Sequence, residues 1–185
     1  MQKCAKESCD KKAAAEGLCR SHFFELVERR AKEAIRGIGW LKKGEKVLVI
    51  NDGAAEGVAS EYLLKNVVGG LPLKITVRRK IGQAGSAKGF DRIVMPYSID
   101  DKIEMFLRRM FENKKLKKGN KELWLVEHLA NDEIEQFLTL KNLKFRQKKK
   151  SKLGLLLDKL EQRLPKTRFA LARASETFRK LLEKA

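Results

Sequence analysis

The sequence predicts an α/β protein in which a parallel sheet with flanking helices follows a small N-terminal metal knuckle. Three observations predict it. Short β-branched runs alternate with amphipathic helical stretches, the signature of parallel βαβ units. Three cysteines and a histidine crowd into the first 22 residues at spacings that suit a metal ion. Hydrophobic residues make up 43% of the 185, enough for one ordinary domain with a proper core and a small appendage.

The knuckle comes first. Cys4, Cys9, Cys19 and His22 stand as Cys-x4-Cys-x9-Cys-x2-His, four soft or borderline donors that close a tetrahedral zinc site. An odd number of cysteines argues against a disulfide framework and suits a reducing compartment where thiols serve metals. Little that is large and apolar lies between the ligands, so ligation has to supply most of the segment's folding free energy. The zinc expected here is structural, with all four positions taken by protein. Unrelated thiols and a surface histidine are the alternative reading.

Ser21 is placed to cap a helix in which Phe24, Val27, Ala31, Ala34, Ile35 and Ile38 recur at three- and four-residue steps. Gly37 and Gly39 end it, and a turn over 40–44 leads into a first strand, Lys46–Ile50. A helix around Val58, Ala59, Tyr62, Leu63 and Val67 follows, then strands at 73–77 and 92–95, the latter stopped by Pro96. A helix from about Ile99 to Phe111 precedes a fourth apolar strand at 123–126, and Asn131 is a plausible N-cap for a helix carrying Ile134, Phe137 and Leu138. Two helices close the chain, one over 151–164 ended by Pro165, the other after Thr167 with Leu171, Phe178, Leu181 and Leu182 on one face. The chain divides into a knuckle over 1–24, a linking helix and turn over 25–44, a reduced α/β domain over 45–145 and a basic helical segment over 146–185.

Parallel sheets bind ligands at the carboxyl edge of their strands, so the turn after the first strand is the place to look for a nucleotide. It reads Asp52, Gly53, Ala54, Ala55, Glu56, Gly57. Its glycines and the coming helix N-terminus can offer N–H groups to a phosphate, but it holds no Lys, Ser or Thr, and Asp52 and Glu56 repel an anion. An ordinary strand-to-helix turn is the favoured reading. Asp100 and Asp101 head a helix, where negative charge is stabilising by itself. His128 has no nearby nucleophile and is read as structural.

Forty-two Lys and Arg against 24 Asp and Glu leave a formal charge of +18, an excess that draws polyanions. Heat-adapted surfaces are also rich in charge, but they usually balance its signs. The cations gather in three clusters at element ends: Arg78, Arg79 and Lys80; Lys114, Lys115, Lys117 and Lys118; Arg146, Lys148, Lys149, Lys150 and Lys152. Aromatic residues are 7% of the chain, so phosphate contacts are expected to outweigh base stacking. With no recognition-helix pattern for the major groove, structured RNA, tRNA or rRNA, is the expected partner rather than DNA. No apolar run reaches the roughly 18 residues of a membrane span and no secretory signal opens the chain, so a cytoplasmic protein without a membrane partner is expected.

The knuckle, the charged helix after it and the run 41–49 resemble the tRNA 2-thiolation proteins of the PP-loop superfamily, whose fold is of the adenine nucleotide α-hydrolase type. Tyr97-Ser98-Ile99-Asp100-Asp101 with Met105-Phe106-Leu107, the stretch 123–143, Leu160-Glu161 and the stretch 165–171 are similar to later family segments. The resemblance implies an enzyme of archaea, some bacteria and eukaryotic cytoplasm that uses ATP to adenylate a tRNA uridine and exchanges its oxygen for sulfur. Eukaryotes pair it with a degenerate companion subunit. Three departures point away from that activity. The family's Ser-Gly-Gly-Lys-Asp-Ser loop is replaced by the turn at 52–57, which lacks the Lys and final Ser. Its paired catalytic cysteines have no counterpart, and a further cysteine motif gives way to the basic run at 145–152. The implied function is a noncatalytic tRNA-binding relative, alone or as companion to an active paralogue. A ribosome-associated structural protein, and an active sulfurtransferase working through unusual residues, are the alternatives.

Overall fold

The structure, a computed structural model, describes residues 2–36, 41–67, 71–79, 89–112 and 121–182. In chain order the elements are α1 (Arg20–Arg36), β1 (Lys46–Ile50), α2 (Ala55–Val67), β2 (Lys74–Arg78), β3 (Arg92–Val94), α3 (Ile99–Glu112), β4 (Glu122–Leu123), α4 (Asn131–Leu140), α5 (Lys152–Arg163) and α6 (Thr167–Leu182). The four strands form one parallel sheet in the order β2-β1-β3-β4. From β1 the chain steps outward to β2, then returns to place β3 on the other side of β1. The crevice between the carboxyl ends of β1 and β3 is therefore a topological switch point, where sheets of this kind bind ligands.

β1 reads as a continuous apolar run because both its faces are covered. Val47 and Val49 enter the larger core with α1, α2 and α4, where Phe23, Leu63, Ile134 and Phe137 are buried. Leu48 and Ile50 point the other way, to Met95, Trp124 and, from α3, Met105. A third cluster joins Ile99 and Ile103 of α3 to Leu157 of α5 and Ala172 of α6. Ala15 and Leu18 carry the larger core into the knuckle, so the Cys and His group is packed against the sheet's own helices.

Three local expectations shift. The apolar run at 123–126 is a strand only at Glu122–Leu123. Beyond it the chain turns, with Glu127 N–H donating to Trp124 O and Leu129 N–H to Val126 O. Trp124, Leu125 and Val126 stay buried; the run is apolar because it is interior, not because it is extended. Ser21 lies inside α1, whose first bond runs from Phe23 N–H to Cys19 O at 2.9 Å. Asn131 is the first residue of α4 rather than its cap: Ala130 is the cap, and Glu133 Oε2 accepts its N–H at 2.8 Å.

Candidate functional site

The knuckle is a pair of short antiparallel contacts, Lys3 with Lys12 and Ala15 with Leu18. Glu16 and Gly17 form the tip of the second, both with positive φ, 49° and 70°, the geometry of a tight two-residue hairpin turn. That turn swings Cys19 back over Cys4, whose Sγ accepts the Cys19 N–H at 3.3 Å. α1 starts one residue later and brings His22 round in its first turn. Cys4 Sγ lies 3.3 Å and Cys19 Sγ 3.5 Å from His22 Nδ1, and Cys9 Sγ lies 3.8 Å from Cys19 Sγ. All four donor atoms lie within 4.8 Å of one another. The edges of a tetrahedron with metal bonds of about 2.1–2.3 Å are about 3.4–3.8 Å long. The four groups can hold one metal ion. The hydrogen bond to His22 lowers the Cys4 thiol to about 6, with the Cys19 N–H acting in the same direction, toward the thiolate that a metal requires.

At the switch point the turn after β1 is closed upon itself. Gly53 N–H donates to Asn51 Oδ1 at 2.9 Å and Ala54 N–H to Asp52 Oδ1 at 3.1 Å. Two amides that could have gripped an anion already have acceptors. Gly53 takes the positive φ of 85° that the turn needs. Gly57 is required for a different reason. A Cβ there would lie 2.8 Å from Asn51 Oδ1 and 3.0 Å from Asn51 Cα, so its lack of a side chain lets α2 start flush against the end of β1.

The segment after α4 then folds across this turn. Arg146 N–H donates to Gly53 O at 2.7 Å, and its guanidinium reaches Asp52 Oδ2 at 3.1 Å. Two residues on, Lys148 Nζ lies 3.1 Å from Oε2 of the buried Glu56. Burial raises the Glu56 carboxyl against the pull of Lys148. Burial disfavours the Lys148 charge, but Glu56, Asp101 and Asp52 outweigh it and hold the ammonium above its ordinary range. Beside this contact an open cavity of about 470 Å³ is lined by Asn51, Asp52, Glu61, Val77, Arg79 and Arg146. Asp101 is also committed locally, exchanging hydrogen bonds with Ser98 at the start of α3.

The basic residues singled out in the sequence fall into three groups. Lys80, Lys114, Lys115, Lys117 and Lys118 lie outside the described residues. Arg146, Lys148 and Lys150 are engaged by carboxylates, Lys150 by Asp132 and Asp158, while Arg78 stacks on Phe90. Arg79, Lys149 and Lys152 are exposed and pair with no described residue. His128 is half-exposed beside Glu127. Sequence reasoning misses Arg168 of α6. Its side chain is 7% exposed and meets Asp100 at 2.7 Å, Asp132 at 3.4 Å and Asp158, tying α3, α4, α5 and α6 together. Asp100, which also accepts the Asn131 N–H at 2.7 Å, is thus spoken for. No sequence signal marks this hub, because its members lie on four separate helices.

Neither a protein-family model nor a curated protein matches the sequence. Among solved structures the chain is similar to the U34-tRNA thiolase NcsA from Methanococcus maripaludis with its [4Fe-4S] cluster, with a TM-score of 0.73 over 97% of this chain and 88% of that one, at 15% identity. The fold is tRNA-thiolase-like. The four-stranded parallel sheet with flanking helices is the fold class the sequence predicts, and the Cys and His group ahead of it could hold a metal ion. No helix among the described residues is long and apolar enough to cross a membrane.

Proposed function

We propose that this chain is a noncatalytic zinc protein that uses a tRNA-thiolase-like scaffold to bind RNA, with tRNA its partner. One observation carries the reading: Lys148, supplied by the chain itself, places its ammonium 3.1 Å from Glu56 at the switch point where a nucleotide's phosphates would be sought. ATP does not fit the crevice as it stands. Its phosphates would meet the carboxylate of Asp52, which lines the cavity, and the Gly53 and Ala54 amides are taken by side chains of the same turn.

The iron–sulfur cluster named for the neighbour does not fit either. Such clusters are held by thiolates, and all three cysteines of this chain stand in the knuckle. There all four donors lie within 4.8 Å of one another, close enough to share one ion, whereas the thiolates around four irons must stand further apart. Zinc fits this set of three thiols and one imidazole, in a closed structural role that leaves no position for water.

Support for tRNA comes from the charge of +18 and from the substrate in the neighbour's name. Within the three basic clusters, Arg79, Lys149 and Lys152 are the described cations free to meet phosphates, joined by Lys80, Lys114, Lys115, Lys117 and Lys118 on sequence grounds. Arg146 and Lys148 serve the turn instead. The test is a tRNA titration across a salt series, with ATP retention measured by equilibrium dialysis. Affinity should fall with salt at a slope of about −0.7 to −0.9 per phosphate contact, and the Lys149→Glu/Lys152→Glu variant should lower the slope's magnitude by about 1–2. Stoichiometric ATP retention, or no tRNA association at about 50 mM salt, overturns the proposal.

A further inference from the structure

α5 turns one face inward and leaves another without a partner among the described residues. Leu157 is buried against α3 and α6, and Ser151 caps the helix by accepting the Gly154 N–H at 2.9 Å while donating to Glu104 at 2.5 Å. Outward stand Leu155 and Leu156, 51% and 50% exposed, and at the helix end Leu164, 63% exposed. Lys152, Lys159 and Arg163 are exposed too. With 3.6 residues per turn, Lys152 neighbours both leucines, and Lys159 and Arg163 continue the line past Leu156. The face is an apolar pair set within three cations.

The pattern of engagement on this helix is selective. Lys150, just before it, is neutralised by Asp132 and Asp158, and Asp158 also holds Arg168. Glu161 accepts the backbone N–H groups of Lys166 and Arg168. Both acidic residues of α5 are thus turned to intramolecular work, whereas Lys152, Lys159 and Arg163 pair with no described residue. A second copy of the chain finds no complement here, because an isologous contact would set these cations against their equivalents. RNA uses half of the face: phosphates would satisfy the cations and leave both leucines in water. A partner helix with an apolar stripe flanked by carboxylates uses all of it, covering the leucines and neutralising the rim.

We propose that the outward face of α5 docks an acidic amphipathic helix of a partner protein, through Leu155 and Leu156 set between Lys152 on one side and Lys159 and Arg163 on the other. This site meets the tRNA reading only at Lys152, which the variants used below leave unchanged.

The test uses the full-length chain and three fluorescent helical peptides: a Leu/Glu amphipathic helix, a scrambled peptide of the same composition, and a Leu/Lys helix. Binding is read by anisotropy, with tRNA affinity and sedimentation measured alongside. The Leu/Glu helix should bind and the two controls should not. Leu155→Ser/Leu156→Ser and Lys159→Glu/Arg163→Glu should each weaken that binding at least tenfold with tRNA affinity unchanged; both alter solvent-facing positions, and a retained helical spectrum confirms folding. Four results overturn the proposal: no binding of the Leu/Glu helix, equal binding of its scramble, binding indifferent to the leucine change, or loss of tRNA in place of peptide in the charge variant. Self-association abolished by the leucine change would also overturn it, assigning the face to a second copy. Failure of tRNA binding alone leaves the peptide result standing, so the two readings fail separately.

Discussion

Replacing Lys148 with Met tests whether the switch-point crevice is filled by the chain's own charge. The change keeps most of the side-chain length and removes the ammonium that faces Glu56. At 3.1 Å and an effective dielectric of about 20, the gross attraction is about 5 kcal/mol. Much of it is offset by desolvation of Glu56 and by the exposure of Lys148, whose side chain is 40% accessible, which leaves a net coupling of about 1–2 kcal/mol. Lys148→Met should therefore lower stability at pH 7 by about 2 kcal/mol, or about 4–8 °C in Tm for a domain of this size. Adding Glu56→Gln should restore most of that loss, since the uncompensated buried carboxylate is what costs. The pH dependence has a definite sign. Burial raises the folded-state Glu56 carboxyl, so its favourable contribution is fully present below the unfolded value and is lost as pH rises through the folded one. Without Lys148 the folded value rises further, and the variant should be less impaired at pH 5 than at pH 7. Urea melts of the four members of the cycle at both pH values measure all of this. A Lys148→Met protein as stable as the parent at pH 7, with no coupling to Glu56, would refute the assignment.

Three further outcomes follow from the same geometry. Gly57→Ala, although it raises helix propensity, should destabilise by about 1–3 kcal/mol because the new methyl meets the Asn51 backbone; a denaturant melt showing stabilisation would count against the close approach of α2 to β1. Arg168→Met should cost about 3–5 kcal/mol, since it strands the buried Asp100 without its cation, and Asp100→Asn/Arg168→Met should recover part of the loss in the same assay. Purified protein should carry one zinc per chain by elemental analysis, and Cys19→Ser should abolish it; substitution by cobalt should give the absorption of a tetrahedral thiolate site.

Periodicity exposed most of the fold because the sheet is central and its helices are amphipathic. β1 and the six helices follow from apolar spacing, and the knuckle from the chemistry of four residues close in sequence. What escaped is long-range. The stretch 123–126 has the composition of a strand, yet burial alone explains it, and composition cannot distinguish a buried turn from a buried strand. Arg146 and Lys148 looked like solvent-facing charge because their partners, Asp52 and Glu56, lie more than 90 residues earlier, and no local pattern joins them. Asp100 reads in sequence only as favourable charge at a helix start for the same reason, its cation standing at position 168. The two acidic residues in the turn were visible in sequence as an obstacle to anions; that they are also an anchor for the C-terminal segment was not.

The placement of Cys19 immediately before α1, with His22 in the first turn, has a consequence for how the chain assembles. Starting a helix is its costly step, because several backbone dihedrals must be set before the first hydrogen bond is made. An ion bridging Cys19 and His22 would set the backbone of that opening turn, so that metal uptake and the birth of α1 would become one event. The apolar ridge that starts at Phe23 and Val27 would then emerge already aligned for the sheet. Stripped of its ion, the protein should fray from this end inward, its first helix unwinding while the strands beyond it still hold.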